Sequence, residues 1–254
     1  MRQGIPALKV LRFTRCFLAV WLLAGGQAVA QEKTYQVAVI GHSPPLSFSQ
    51  DGGKLTGFNI EMAHELCATM QIRCELKPMT INDIVDAVAS QKADFAVVGF
   101  IVTPERQQKV LFSKTYFQSV SVWLSRHQTE PDHPRTAAVV INGSAQAHHA
   151  QAAGWNHIKV SSQKDIAPML SSGAADGALL PMLGALSLMQ DKSLQELGLK
   201  TKVLNVPLLT GSLHMPIDPR QPALVHRINA ALDQIKSDGR FDRINTRFIP
   251  FRLQ

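Results

Sequence analysis

Asp94-Phe-Ala-Val-Val98 runs directly into Gly99-Phe-Ile-Val-Thr103 and then Pro104-Glu-Arg106. The apolar run reads as a buried strand, the residues after Val98 as a loop, and Pro104 as the opening of a helical turn. Upstream, Tyr35-Gln-Val-Ala-Val-Ile40 has the same buried-strand character. Phe58, Met62, Leu66 and Met70 recur every four residues, which predicts an amphipathic helix over 59–70, and Ile72–Leu76 reads as the strand that follows. Thr80 and Asp83 form a capping-box-like start for a helix over Ile81–Gln91. Strands alternating with helices imply a mainly parallel sheet flanked by helices. Between the first strand and the first helix, Ser43-Pro44-Pro45 reads as a turn. Leu46–Phe48 and Lys54–Thr56 flank the hairpin signal Asp51-Gly52-Gly53.

Downstream, Tyr116–Ser125 reads as an extended stretch that runs out into the polar segment His127–Pro134, twice interrupted by proline. The pattern then restarts. Strands are expected at Ala137–Ile141, His157–Val160, Asp176–Leu180 and Lys202–Val206, with helices from Ala145, over Lys164–Leu170, and from Pro181 to Met189. Leu208–Met215 reads as a return crossing. Leu224, Ile228, Leu232 and Ile235 share one face of a helix over 222–237, which Gly239 ends, and Phe241–Phe248 adds a last turn or two. The expected fold is therefore α/β with two interleaved lobes. Lobe one is discontinuous, 31–125 and 208–254, and lobe two spans 126–207.

Composition narrows the function. The 254 residues are 45% hydrophobic and 18% charged, which supports a sizeable core and excludes a mainly disordered chain. The formal charge of +7 is concentrated at the start: Arg2, Lys9, Arg12 and Arg15 lie there, and no acid precedes Glu32. Without residues 1–30 the balance is 22 basic against 19 acidic, +3, too mild to argue for a nucleic-acid partner. Those residues read as a Sec signal peptide. The basic segment Arg2–Arg15 precedes the short apolar run Phe17–Ala24, and Ala28-Val-Ala30 supplies the cleavage pattern, with cleavage expected after Ala30. The expected location is the periplasm. Cys67 and Cys74 are then an even pair in an exported chain, read as a disulfide stapling a helix end to the next strand, with free thiols as the alternative.

In open α/β sheets, ligands bind outside the carboxyl ends of the strands. That directs attention to Ser43–Phe48, Gly99–Arg106, Asn142–Gln146 and Leu180–Met182. Arg106 can grip a carboxylate with two parallel hydrogen bonds, although spacing alone favours a surface arginine paired with Glu105 or another acid. Asn142-Gly143-Ser144-Ala145 offers free backbone N–H groups at a helix start, a feature that ordinary capping shares. His148-His149 point about 100° apart on a helix and suit solvent better than a metal ion. His42 and His214 sit near strand ends and could enter a cleft. No GxSxG, P-loop or GxGxxG motif occurs, and no nucleophile has an assigned base.

Residues from about 35 to 250 resemble the bacterial periplasmic solute-binding proteins of family 3, which serve polar amino-acid ABC transporters. The resemblance is carried by Pro44–Phe48, Gly53–Ile60, Ala93–Gly99 and Ile228–Phe248, and most specifically by Thr103-Pro-Glu-Arg106 with Phe112-Ser113. It implies the two-lobed, type II binding-protein fold with two crossover strands as hinge. It further implies a monomer that needs no cofactor or metal, and an inner-membrane ABC permease as partner. The Cys67/Cys74 spacing is similar to that of the lysine- and histidine-binding members. By the same resemblance Arg106 holds a ligand carboxylate, and the turn Gly143-Ser144-Ala145 adds donors. Gly99, Ile101, Ser43, Phe48, Ser144, Ala145 and Pro181 fall at ligand-binding positions.

Three of those positions depart from the family pattern. Pro181 stands where an Asp meets the ligand ammonium, Ile101 where a hydroxyl is expected, and Ser43 where an aromatic stacks. A buried ammonium without its carboxylate costs several kcal/mol. The expected ligand is therefore a small carboxylate-bearing solute, best one lacking an ammonium. Two alternatives are a degenerate binding protein acting as a sensor or accessory partner, and an enzyme similar to cyclohexadienyl dehydratases. The enzyme reading is the weaker, because no carboxylate stands at Pro181 and Asp176 is expected to precede the cleft by a full strand.

Overall fold

The computed structural model describes Met1 and residues 33–50, 53–126 and 129–254. The expected signal peptide with its cleavage point, Asp51-Gly52 of the hairpin turn, and His127 lie outside the described residues.

The chain opens with β1 (Thr34–Ile40), a short hairpin of β2 (Phe48–Ser49) and β3 (Leu55–Thr56), and α1 (Phe58–Thr69). Then come β4 (Arg73–Met79), α2 (Ile81–Ala89), β5 (Phe95–Ala96), α3 (Pro104–Gln107) and β6 (Leu111–Phe112). β7 (Phe117–Ser119) leads into β8 (Ser121–Ser125), β9 (Ala138–Ile141), α4 (Ala145–Ala152) and β10 (His157–Val160). A 3-10 turn at Gln163–Asp165 precedes α5 (Ile166–Ser172), β11 (Gly177–Pro181), α6 (Met182–Leu188), α7 (Lys192–Gln195) and β12 (Lys200–Val203). The chain returns through β13 (Gly211–Leu213) and β14 (Pro216–Ile217), and ends in α8 (Pro222–Ser237) and α9 (Arg240–Phe248).

Two five-stranded sheets result, ordered β4-β1-β5-β14-β6 and β10-β9-β11-β8-β12. In each sheet four strands run in one direction and one runs against them, β14 in the first and β8 in the second. Each sheet is thus mainly parallel, as strand–helix alternation predicts, with one opposing strand that it does not. The antiparallel strands belong to segments that cross from one sheet to the other, which alternation cannot register. Val37, Ala38 and Val39 on β1 are all fully buried, as expected of an inner strand covered on both faces. β7 and β13 pair antiparallel, Ser119 opposite Gly211 and Phe117 opposite Leu213, at the two crossings. β8, read from sequence as part of one extended run up to Ser125, pairs with β11 and β12 in the second sheet.

The C-terminal helices pack on the first sheet. Ile228, Leu232 and Ile235 of α8 and Phe241 of α9 join Val37, Met62, Leu66 and Phe95 in one core. Phe58 lies 5.4 Å from Phe241 and 5.8 Å from Tyr116, ring centroid to centroid, in an aromatic cluster at its centre. A second core, around Leu124, Val139, Ile166, Leu170 and Leu180, fills the second lobe. Gly57, before α1, has φ +117°, and a Cβ there would fall 2.5 Å from the Leu46 carbonyl oxygen; only glycine lets helix and loop approach so closely. Cys67 and Cys74 form the expected disulfide, joining α1 to β4.

Local details differ from expectation. Thr80 is the N-cap residue of α2, but its side chain makes no capping bond; its hydroxyl donates to the Asp83 carboxylate (2.6 Å). Pro181 ends β11 and serves as the N-cap of α6 rather than lying in its first turn. No helix among the described residues is long and apolar enough to cross a membrane.

Candidate functional site

A cavity of about 600 Å³ lies between the two sheets, within the range of small-molecule sites. Its wall is drawn from the carboxyl ends of strands in both: Ile40, Gly41, His42 and Ser43 after β1, Gly99 after β5, Ile141 and Ser144 after β9, and Leu179–Pro181 at the end of β11. Leu46, Phe117, Leu183 and Leu213 complete an apolar body.

Of the residues singled out from sequence, Ser43, Gly99, Ser144 and Pro181 line this cavity, whereas Phe48, Ile101, Ala145 and Arg106 are not among its lining. Phe48 belongs to the β2–β3 hairpin, and Ala145 opens α4 behind Ser144. Ser144 is the N-cap of α4, its Oγ accepting from the Ala147 N–H (3.0 Å). Its oxygen thus caps the helix, and the hydroxyl keeps a hydrogen to donate.

Arg106 sits behind the wall. Thr103 caps the short α3 by accepting from the Arg106 N–H (3.3 Å), which sends the guanidinium back along its own loop. There Nη1 donates to the Ile101 carbonyl (2.9 Å) and Nη2 reaches across to the Gly143 carbonyl of the second lobe (3.0 Å). The guanidinium carbon lies 4.3 Å from the centroid of Phe100. Arg106 is only 7% exposed, and no ion pair to it occurs among the described residues, so the surface pairing with Glu105 is not what forms. Burial lowers its pKa, with Glu105 opposing the shift, yet a guanidinium remains protonated at neutral pH. The result is a buried cation held by two carbonyls and a ring face. Its bonds end on loops whose neighbours, Gly99 and Ser144, are cavity wall.

Other wall residues owe their place to partners that the sequence does not announce. Gln163 donates through Nε2 to the Pro44 carbonyl (3.2 Å) of the first lobe and to the Gly184 carbonyl (3.3 Å). Gln146 donates to Ser121 Oγ (2.8 Å). Asn59, from the stretch Gly53–Ile60, is buried at the wall and accepts from the Tyr116 hydroxyl (3.0 Å). The charged lining is Lys164 and Asp165, beside His42. Burial and Lys164 lower the His42 pKa, and Asp165 opposes them. Asp165 is an acid that the sequence reading did not place at the cavity; its Oδ2 accepts from the Ser162 N–H (3.0 Å) of its own turn. Asp176 caps the far end of β11 by accepting from the Ala137 N–H (2.7 Å), one strand length from Pro181.

The histidine pair divides. His148 is exposed, while His149 is partly buried edge-on to Trp155, 5.2 Å between centroids. His214 lies off the cavity lining, its Nδ1 2.8 Å from the Ser113 carbonyl. No cluster of three metal-ligating side chains occurs among the described residues.

Two α/β lobes closed over a cavity at their strand ends define a clamp-type binding protein. The profile of the bacterial extracellular solute-binding proteins, family 3, matches residues 35–251, and the chain belongs to that family. It is 25% identical over 215 residues to the ABC transporter arginine-binding protein 1 of Escherichia coli K12, covering 82% of this chain and 87% of the relative. It is 34% identical over 106 residues to the octopine-binding periplasmic protein of Rhizobium meliloti. That match spans 42% of this chain and only 36% of the relative's length. An ancestral arginine-binding protein, solved with arginine bound, superposes with a TM-score of 0.75 at 25% identity, over 85% of this chain and 98% of the other.

Proposed function

We propose that this protein works in the periplasm as the solute-binding component of an ABC-type importer, clamping a small carboxylate-bearing solute between its lobes. The observation that carries the proposal is Arg106, a buried cation with no acid to neutralise it among the described residues. A charge so placed is costly until an anion joins it. A carboxylate entering beside Gly99 and Ser144 replaces carbonyl oxygen with full negative charge, and its differential contacts favour closure. Pro181 stands on the same wall and offers no charge to an ammonium, while Asp165 is engaged in its own turn beside Lys164. Those features favour an organic acid with an apolar body over an ordinary zwitterion. β7 and β13 serve as the hinge, since the chain passes between the lobes there.

The test is a thermal-shift and calorimetric screen of plain mono- and dicarboxylates against amino acids, on the native protein and on Arg106→Ala. Arg106→Ala should keep the fold and lose carboxylate binding; unchanged affinity would refute the role given to Arg106. One observation favours a second reading, a sensor or accessory protein. The lobes meet directly, protein on protein, through Arg106–Gly143 and Gln163–Pro44. On that reading no small molecule shifts the melting temperature.

A further inference from the structure

We propose that Asn59 sets the specificity of this cavity, selecting a carboxylate whose far end carries an uncharged hydrogen-bond acceptor, such as an amide, ether or hydroxyl oxygen. This rests on the carboxylate reading above and concerns the other end of the solute.

The argument comes from the buried polar side chains of the wall. Ser144 accepts from the Ala147 N–H, Gln146 donates to Ser121, and Gln163 donates to two carbonyls. Each makes at least one hydrogen bond to protein; the buried Ser162 hydroxyl at the same wall has no partner among the described residues beyond its own capping box, and a hydroxyl can turn either to donate or to accept. Asn59 differs. It is 1% exposed, its Oδ1 accepts from the Tyr116 hydroxyl, and its Nδ2 has no partner among the described residues. Tyr116 is itself wholly buried, and burial raises its pKa well above the usual phenol value. It therefore stays a neutral phenol, and its hydroxyl donates to the amide oxygen. The amide nitrogen is left as a spare donor at a wall whose apolar part includes Leu46, Phe117, Leu183 and Leu213. A buried donor without an acceptor loses its hydration and gets nothing back. A solute acceptor seated against Asn59 completes it.

The same geometry disfavours a cationic end. A guanidinium or ammonium would bring donors to a donor, and residue 59 carries no charge to meet it. The one acid in the lining, Asp165, lies beside Lys164 and His42 and already accepts from Ser162.

Three probes of similar length separate the possibilities: pentanoate, glutaramate (a carboxylate ending in a carboxamide) and 4-guanidinobutanoate. They are titrated calorimetrically into the native protein, Asn59→Leu, Asn59→Asp and Arg106→Ala. The native protein should bind glutaramate about tenfold or more tightly than pentanoate. In Asn59→Leu that ratio should fall to about one with pentanoate affinity retained. Asn59→Asp keeps an acceptor for Tyr116, so it serves if the leucine variant does not fold; it should shift preference to 4-guanidinobutanoate. The proposal is overturned if the ratio survives in Asn59→Leu, if Asn59→Asp leaves the preference unchanged, if the native protein favours the guanidinium probe, or if none of the three binds. Arg106→Ala isolates the underlying reading. Binding that persists there, with the glutaramate preference intact, defeats the carboxylate role of Arg106 and leaves Asn59 supported.

Discussion

Replacing Gly143 with alanine should open the clamp. Gly143 has φ +77°, and a Cβ there would fall 2.6 Å from Asn82 Cα and 2.9 Å from Asn82 Oδ1, atoms of α2 in the other lobe. Two separate costs follow. The left-handed backbone costs an L-residue about 1–2 kcal/mol whether the lobes are open or closed. The overlap with Asn82 exists only when the lobes meet, and overpacking of this kind typically costs about 1–3 kcal/mol. The nearest opposing atom is backbone, so it cannot swing aside as a flexible side chain would. The closed-to-open ratio should therefore fall about 5- to 150-fold. Gly154→Ala is the control: φ is +70° there, yet no atom lies within 4 Å of its built Cβ. Both variants should lose melting temperature, but only Gly143→Ala should increase the solute-free radius of gyration in small-angle scattering and weaken solute affinity. If the two variants scatter alike, the contact with Asn82 does not limit closure and the reasoning fails.

Two further outcomes are expected. Replacing Cys67 and Cys74 together with serine removes a bond closing a seven-residue separation, which in the chain-entropy model is worth roughly 2–3 kcal/mol; the melting temperature should drop by about 4–12 °C, and urea melts showing no loss would mean the bond does not constrain the unfolded chain. Pro181→Asp places a carboxylate on the cavity wall at a helix N-cap, where aspartate is well tolerated, so affinity for zwitterionic amino acids should rise about tenfold or more; calorimetry showing no gain would count against the missing-ammonium argument.

The parts of the fold legible in the sequence are those written in local periodicity. Leu224, Ile228, Leu232 and Ile235 define one face of α8, and the helix occupies the expected span, Pro222–Ser237. The strand–loop–turn ending at Arg106 was legible for the same reason, because Thr103 and Pro104 are strong helix-start residues. Pairing partners were not legible. Tyr116–Ser125 reads as one extended stretch, yet it divides at Val120 into β7, which pairs with β13, and β8, which pairs with β11 and β12. Alternation and apolarity say that a segment is extended, not which strand it joins. Part of the cavity wall was hidden likewise. Gln163 owes its place to Pro44, 119 residues away, and Asn59 to Tyr116, 57 away; neither glutamine nor asparagine carries a pattern that announces such a partner.

Two hydrogen bonds that span the lobes among the described residues are reciprocal, one donor coming from each side, and both finish on main-chain oxygens. Every amino acid carries such an oxygen. Substitution on the receiving loops leaves the acceptors in place wherever the backbone can keep its course, which at Gly143 (φ +77°) asks for glycine, whereas the donors are set by two codons, those for Arg106 and Gln163.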